Sequence, residues 1–368
     1  MKFRCERDVL VEALSTAARG ATSRANAMPV LSGVHVQATG EQLVATGTDL
    51  DLTIRATVPV TVVGEGAAVL PARLAADVAK SLEPGAVEVE VDGEEARISS
   101  GRSQFALRLP PTEDFPKTTE VTGHAVTVSA PALASSLRQV IVAASKDDAR
   151  LILTGVHMAA EAGGLRLVAT DSYRLAIRDL ADATMLSEGQ QVLVPSRALR
   201  ELVQFLGDDE VTVRLGEREV AFEIATGERS GVEVRTRLIE GNFPEYRKLI
   251  PASYPNRLTV GREALLDAVK RVKLVATDNT PVRITQTADG VELRAVRQEV
   301  GVATETIDAS YEGEELTVAF NPDYLIEGIE AAPGDEVTLE TLDGQKPAVL
   351  RSTSGPDYLY LLMPVRVS

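Results

Sequence analysis

The sequence predicts an α+β fold of three similar domains, each with two helices and antiparallel sheets. Three recurrences carry that expectation. "VLPARLAADVAKSL" from Val69, "LVPSRALRELVQFL" from Leu193 and "AFNPDYLIEGIEA" from Ala319 place Pro71, Pro195 and Pro322 at intervals of 124 and 127 residues. "TGTDLDLTIR" (Thr46 to Arg55) returns as "VATDSYRLAIR" (Val168 to Arg178), with Asp49 and Asp171 122 residues apart. "EDFP" at Glu113 to Pro116 returns as "GNFPEY" at Gly241 to Tyr246, with Phe115 and Phe243 128 apart. A period of roughly 20–50 residues would mark a solenoid or propeller. A period near 125 is the size of a whole domain.

Each repeat is expected to open with an amphipathic helix. Leu10, Ala13, Leu14 and Ala17 recur at helical spacing, as do Leu133, Leu137, Val140 and Ala144, and then Leu265, Val269, Val272 and Ala276. Alternating stretches broken by Gly, Asn or Asp follow, such as "VHVQATGEQLVATGTDLDLTIRATV" and "VHMAAEAGGLRLVATDSYRLAIRDL"; these read as antiparallel hairpins. A second helix comes next, entered through a proline suited to a helix start. The unit closes on further strands, as in "AVEVEVDGEEARISSGRSQFALRLP" and "EVTLETLDGQKPAVLRS". Helix, strands, helix, strands is an α+β order with antiparallel sheets. Linkers fall near Lys117 to Val126 and Ile250 to Val260.

At 368 residues, 44% hydrophobic and 25% charged, the composition is that of a soluble globular protein with room for two or three cores. There is no run of about 18 apolar residues to span a membrane. "MKFRCERDVL" lacks the apolar centre of a signal peptide, so a cytoplasmic location is expected. Cys5 is the only cysteine and is read as a small apolar residue.

No catalytic constellation emerges. His35, His124 and His157 show no paired ligand spacing, and no Cys cluster, HExxH, Walker A, GxSxG or GxGxxG is present. Asp49 and Asp171 could be imagined as a carboxylate pair, but each sits in a turn where an Asp side chain caps its own backbone. The third repeat has "RAVRQEV" at that place, without an Asp. Catalytic residues, metal ligands and cofactors are therefore not expected.

The net charge of −16, from 38 basic and 54 acidic residues, argues against broad nucleic-acid binding. Its distribution is uneven. Opposite the apolar stripes of the opening helices lie Arg138 and Gln139 in the second repeat and Lys270 and Arg271 in the third; Arg19 points the same way in the first. The second helices add Arg73, Lys80, Arg197 and Arg200, and Arg24 is placed with this set. The last helix, "NPDYLIEGIEA", carries only acids. Other acids gather in strand and loop segments such as Glu88 to Glu95 and Asp308 to Glu315. Such a surface repels nucleic acid generally and attracts it along the helices.

"MKFRCERDVLVEAL", "GTDLDLTI", "VATDSYRLAI", "GNFPEY", "FNPDYL" and the terminal "YLLMPVRV" together resemble the bacterial DNA polymerase III β subunit, the sliding-clamp family, over the whole chain. The resemblance implies clamp domains at 1–120, 121–252 and 253–368. It implies helices inside, sheets outside, and two chains joined head to tail in a ring around duplex DNA. Helix spacing agrees with that count. Six helices packed at ~10 Å enclose a circle of about 19 Å between axes, whereas twelve give roughly 38 Å and a hole near 28 Å, wide enough for a duplex of roughly 20 Å.

The implied function is a DNA sliding clamp: a non-catalytic accessory subunit that encircles duplex DNA without reading its sequence. It would tether the replicative polymerase, the clamp loader and repair proteins, which bind through short linear peptides. The family's peptide pocket maps by motif onto Leu153, onto Thr170, Ser172, Tyr173, Arg174 and Leu175, onto Pro244, Lys248 and Leu249, and onto Asn321 and Tyr324. Its last part is Leu361, Leu362, Met363, Pro364, Val365 and Arg366. Ser172-Tyr173 stands where members often have Gly followed by His or an aromatic residue, and Lys248 where many have Arg. The implied subunit interface joins Phe105 and Leu107, read as an exposed pair, to Leu274 and Val275. A specialised paralogue serving drug self-resistance or repair is the alternative. A catalytic polymerase or nuclease subunit would need clustered metal-binding carboxylates, which the repeats lack.

Overall fold

The computed structural model describes residues 1–22, 28–161, 163–181, 183–276, 280–288, 290–355 and 357–366. Among these, six α-helices form two per repeat: α1 (Arg7–Ala18), α2 (Ala72–Ser81), α3 (Ala130–Ile141), α4 (Ser196–Val203), α5 (Arg262–Lys273) and α6 (Pro322–Ala331). None is long and apolar enough to cross a membrane. Each repeat opens one element earlier than expected. Strands Lys2–Glu6, His124–Ser129 and Asn256–Gly261 run directly into α1, α3 and α5. The helical stripe that follows is the stronger periodic signal, which hid these short strands.

The prolines correct a second expectation. Pro71 and Pro195 end the strands before α2 and α4, whereas Pro322 is the first residue of α6. The true counterpart of Pro71 and Pro195 is Asn321. Its side chain accepts hydrogen bonds from the Asp323 and Tyr324 N–H groups at 2.8 and 3.3 Å and so caps the helix.

Two compact units form, and they do not follow the repeat boundaries: 1–131 with 201–238, and 132–200 with 239–368. The cause is sheet continuity. In the first unit, strand Ser230–Arg237 of the middle repeat pairs with Leu52–Pro59 of the first, Val234 opposite Ile54. That junction builds an eight-stranded antiparallel sheet. In the second, Tyr358–Leu362 of the third repeat pairs with Arg174–Ala181 of the middle one, Tyr360 opposite Ala176, within a nine-stranded sheet. Ladder hydrogen bonds thus bind neighbouring repeats as tightly as they bind a single repeat.

The first unit also has a five-stranded sheet that begins at Thr61–Gly64 and ends at Ser103–Arg108. Its core gathers Phe3, Leu10 and Leu14 with Leu43, Leu70 and Ile98 around α1 and α2. A Cβ at Gly47 would lie 2.0 Å from the Ala17 carbonyl oxygen, so only glycine lets the end of α1 meet the sheet so closely. The second unit has a four-stranded sheet with Gly301–Ile307 at one edge and Leu316–Phe320 at the other.

Candidate partner site and basic helix faces

The repeated "TD" segments fold into one turn built twice. In the first unit Asp49 Oδ1 accepts from the Asp51 and Leu52 N–H groups at 3.1 and 2.8 Å. Thr48 Oγ1 donates to the Leu52 carbonyl at 3.0 Å. In the second unit Asp171 Oδ1 accepts from Tyr173 and Arg174 at 2.9 and 3.0 Å, and Thr170 Oγ1 donates to the Arg174 carbonyl at 2.6 Å. Leu50 and Ser172 occupy the same place with φ of 83° and 80°. That left-handed position favours glycine, so the Ser172 departure carries local strain. Both aspartates therefore cap their own backbone.

The two turns differ in what they present. Leu52 is buried apolar surface, but its counterpart Arg174 is a cation only 4% exposed. Its guanidinium meets Asp171 at 3.1 Å, Glu327 on α6, and the Tyr360 hydroxyl at 3.2 Å. The Tyr324 ring lies over it, 4.3 Å from Cζ to centroid. Tyr173 stacks with Tyr324 at 6.4 Å between ring centroids and is 58% exposed. Asn321 fixes the first turn of α6 and thereby Tyr324, whose carbonyl accepts from Tyr360 at 2.9 Å. Burial raises the Tyr360 and Tyr324 hydroxyl pKa values above the ordinary range.

Tyr173, Arg174 and Tyr324 line a cleft of about 610 Å³ with Arg150, Asp171 and Glu327. Val365 and Arg366 line a second cleft, of about 880 Å³, with Arg283 and Ala319. The Met363 N–H donates to the Tyr173 carbonyl at 2.9 Å, and Met363 is 39% exposed. Leu175 and Leu361 are core, packed with Ile177, Tyr246 and Leu359 beneath Phe243 and Ile250, and Leu362 is equally buried. Pro244, Lys248 and Leu249 are exposed, with Lys248 paired to Glu245. Leu153 is half-buried, and its carbonyl accepts from the Ser145 N–H at 2.8 Å. Pro364 is half-buried, and Thr170 is buried within the turn.

The basic residues divide by their partners. Arg73, Lys80 and Arg138 are exposed and lie in no ion pair among the described residues. Arg197 is exposed too. Arg200 turns a guanidinium N–H to the Ile141 carbonyl at the end of α3, 3.3 Å away, and burial lowers its pKa. Arg19 pairs with Glu201 at 2.5 Å, Lys270 with Glu330 at 2.7 Å, and Arg271 with both Glu305 oxygens at 2.8 and 3.1 Å. Gln139, expected opposite the apolar stripe, is buried, because α3 is covered over most of its circumference. Arg24 lies outside the described residues. Among the described residues no three His, Cys, Asp or Glu side chains gather as a metal would need.

The expected exposure of the pair holds for Phe105 and is corrected for Leu107. Leu107 is 6% exposed and belongs to the first core, while Phe105, two residues nearer the hairpin, is 36% exposed. Both leave one face of the strand, opposite Ala96 and Ile98. The core covers that face only as far as Leu107. Leu274 is 86% exposed and Val275 half-buried.

Three family patterns match in chain order: DNA polymerase III beta subunit, N-terminal domain over residues 1–119, central domain over 127–245 and C-terminal domain over 247–366. The chain belongs to the DNA polymerase III beta subunit family. It is 34% identical to the beta sliding clamp of Streptomyces coelicolor over 376 residues, covering all of both chains. Crystal structures of the Bacillus subtilis sliding clamp (TM-score 0.91) and of a Bartonella birtlesii sliding clamp bound to griselimycin (TM-score 0.92) are each 29% identical and fully covered. The protein is thus a DNA sliding clamp, built on the three-domain clamp fold.

Two features of this clamp escaped the sequence reading. His35 and His157 stack on Phe115 and Phe243 at 5.2 and 5.0 Å, so the histidines, 122 residues apart, follow the same repeat as the aspartates. Burial lowers both imidazole pKa values. Glu327 and Tyr360, which hold Arg174, were also missed, because only the sheet joining two repeats brings Tyr360 beside the turn.

Proposed function

We propose that two copies of this chain close head to tail into a ring around duplex DNA. The ring would hold the replicative polymerase, the clamp loader and repair proteins through short linear peptides, in the cytoplasm on nucleoid DNA. It would catalyse nothing itself. The observation that carries the reading is the unbroken succession of three beta-subunit domains, together with 34% identity to a sliding clamp over the whole length of both chains.

Two open sheet edges support the subunit contact. Ser103–Arg108 ends one sheet and presents Phe105; Gly301–Ile307 ends another, with Val300 and Val302 exposed beside it. Unpaired edges of this kind are templates for pairing with a second chain, and a heterologous contact closes when its rotation fits. The aromatic Tyr173–Tyr324 surface and exposed Met363 suit an apolar peptide anchor. The test is retention on DNA. Loaded onto a nicked circle, the protein should survive high salt and be released when the circle is linearised; salt-resistant binding to open linear duplex would overturn the ring.

A further inference from the structure

The four-stranded sheet of the second unit carries a charge arrangement that folding alone does not favour. Arg283 on strand Val282–Thr287 lies directly opposite Arg294 on strand Gly290–Arg297, and both are exposed. Like charges directly opposite each other weaken a sheet. On its other side Arg283 faces Ala319. The Val365 N–H donates to the Ala319 carbonyl at 2.7 Å, and this lays the segment after Leu362 beside that strand. Arg366 thereby joins Arg283 in lining the cleft of about 880 Å³. Arg283, Arg294 and Arg366 lie in no ion pair among the described residues. Two acids are near without neutralising them. Asp343 lines the cleft, but its Oδ1 accepts from the Gln345 and Lys346 N–H groups of its own turn at 2.7 and 2.8 Å. Glu292, on the same sheet face as Arg294, stands opposite Thr285.

We propose that this arginine cleft binds an acidic flank of a partner's linear peptide, the peptide's apolar anchor resting on Tyr173 and Met363. The proposal rests on the partner-peptide reading above. Arg366 follows the exposed Met363 by three residues, at most about 10 Å of chain. A peptide lying along that segment brings carboxylates about three residues from its anchor within reach of Arg366 and Arg283. Guanidinium groups take carboxylates in two-oxygen contacts. The opposition of Arg283 and Arg294 costs stability in the free protein and turns into attraction once a carboxylate lies between them. The net charge of −16 sharpens the choice of site, because an acidic flank is repelled by the chain at large and drawn to this patch.

The experiment is fluorescence anisotropy of labelled peptides against the whole protein. The peptides share one apolar core and carry either an Asp-Glu or an Asn-Gln pair about three residues from it, on the N-terminal or the C-terminal side. At low salt one of the two acidic peptides should bind about fivefold tighter than its amide counterpart. The advantage should fall below about twofold in 0.5 M salt, where exposed charges are screened. Arg283→Gln with Arg294→Gln should erase it. The same variant should melt at the parent's temperature or up to about 3 °C higher, because the opposed charges are gone. A lower melting temperature would mark the arginines as structural and overturn the proposal. So would equal binding of acidic and amide peptides by the parent. Weaker binding of short duplex DNA by the variant, with the peptide preference intact, would make the patch a phosphate site and overturn it too. A parent that binds none of the peptides would sink the partner-peptide reading itself.

Discussion

Asp49 and Asp171 close the same turn, yet their removal should differ in cost because of the residue three positions on. Asp49 caps two N–H groups above buried Leu52. Asp171 caps two and also faces the Arg174 guanidinium, which is almost wholly buried. Asp49→Ala loses ordinary hydrogen bonds and should cost about 1 kcal/mol. Asp171→Ala leaves a buried cation short of a partner and should cost about 3 kcal/mol or more. Urea unfolding midpoints of the two variants check this, and equal losses would mean that Arg174 does not depend on Asp171. The turn itself was legible because Thr-Asp recurs at the repeat interval. The role of Arg174 was not, since its partners Glu327 and Tyr360 lie 153 and 186 residues away. His35 and His157 were legible in principle, being spaced as the aspartates are, but a search for metal ligands looks for neighbours in sequence and passes over a repeat.

At the scale of the element, alternation along a strand says which residues share a face but not how far the core reaches. Phe105 and Leu107 share one, but the first is exposed and the second is buried. The three opening helices and the hairpins were readable from period alone. The short strands that precede α1, α3 and α5 were not, because each passes into its helix with no loop between them. The edge strand Ser103–Arg108 now supports a sharp contrast. Phe105→Glu should split the proposed dimer while the far-ultraviolet circular dichroism and unfolding midpoint stay near those of the parent. Leu107→Glu should instead unfold the first unit, since a carboxylate among Ala96 and its core neighbours has no partner there. Light scattering and thermal melts separate the outcomes. A stable Leu107→Glu monomer would mean that the core ends short of that strand.

A chain that repeats its domain three times could offer three partner sites, and the molecule as a whole indicates why it should offer one. The turn that presents Tyr173 is present in the first unit with the same hydrogen bonds, down to the link to the next repeat's strand. There the Arg237 N–H donates to the Asp51 carbonyl at 3.0 Å, as the Met363 N–H does to Tyr173. The side chains differ. Asp51 and Arg237 are charged, exposed and 3.8 Å apart, where the second unit has a tyrosine and a methionine. An apolar peptide anchor gains nothing from covering an exposed ion pair and would have to desolvate it. The third repeat lacks the turn altogether, carrying Arg294 to Val300 without an aspartate. A polymerase-tail peptide titrated by calorimetry should therefore saturate at one per chain, two per proposed ring. Tyr173→Ala with Met363→Ala should abolish that binding by removing exposed anchors, and should leave the salt-resistant hold on circular DNA intact because the proposed ring contact and the proposed pocket use different residues. Two peptides per chain would show that the charged turn also accepts partners. Loss of the circle along with the peptide would show that holding DNA and holding partners are not separable in this clamp.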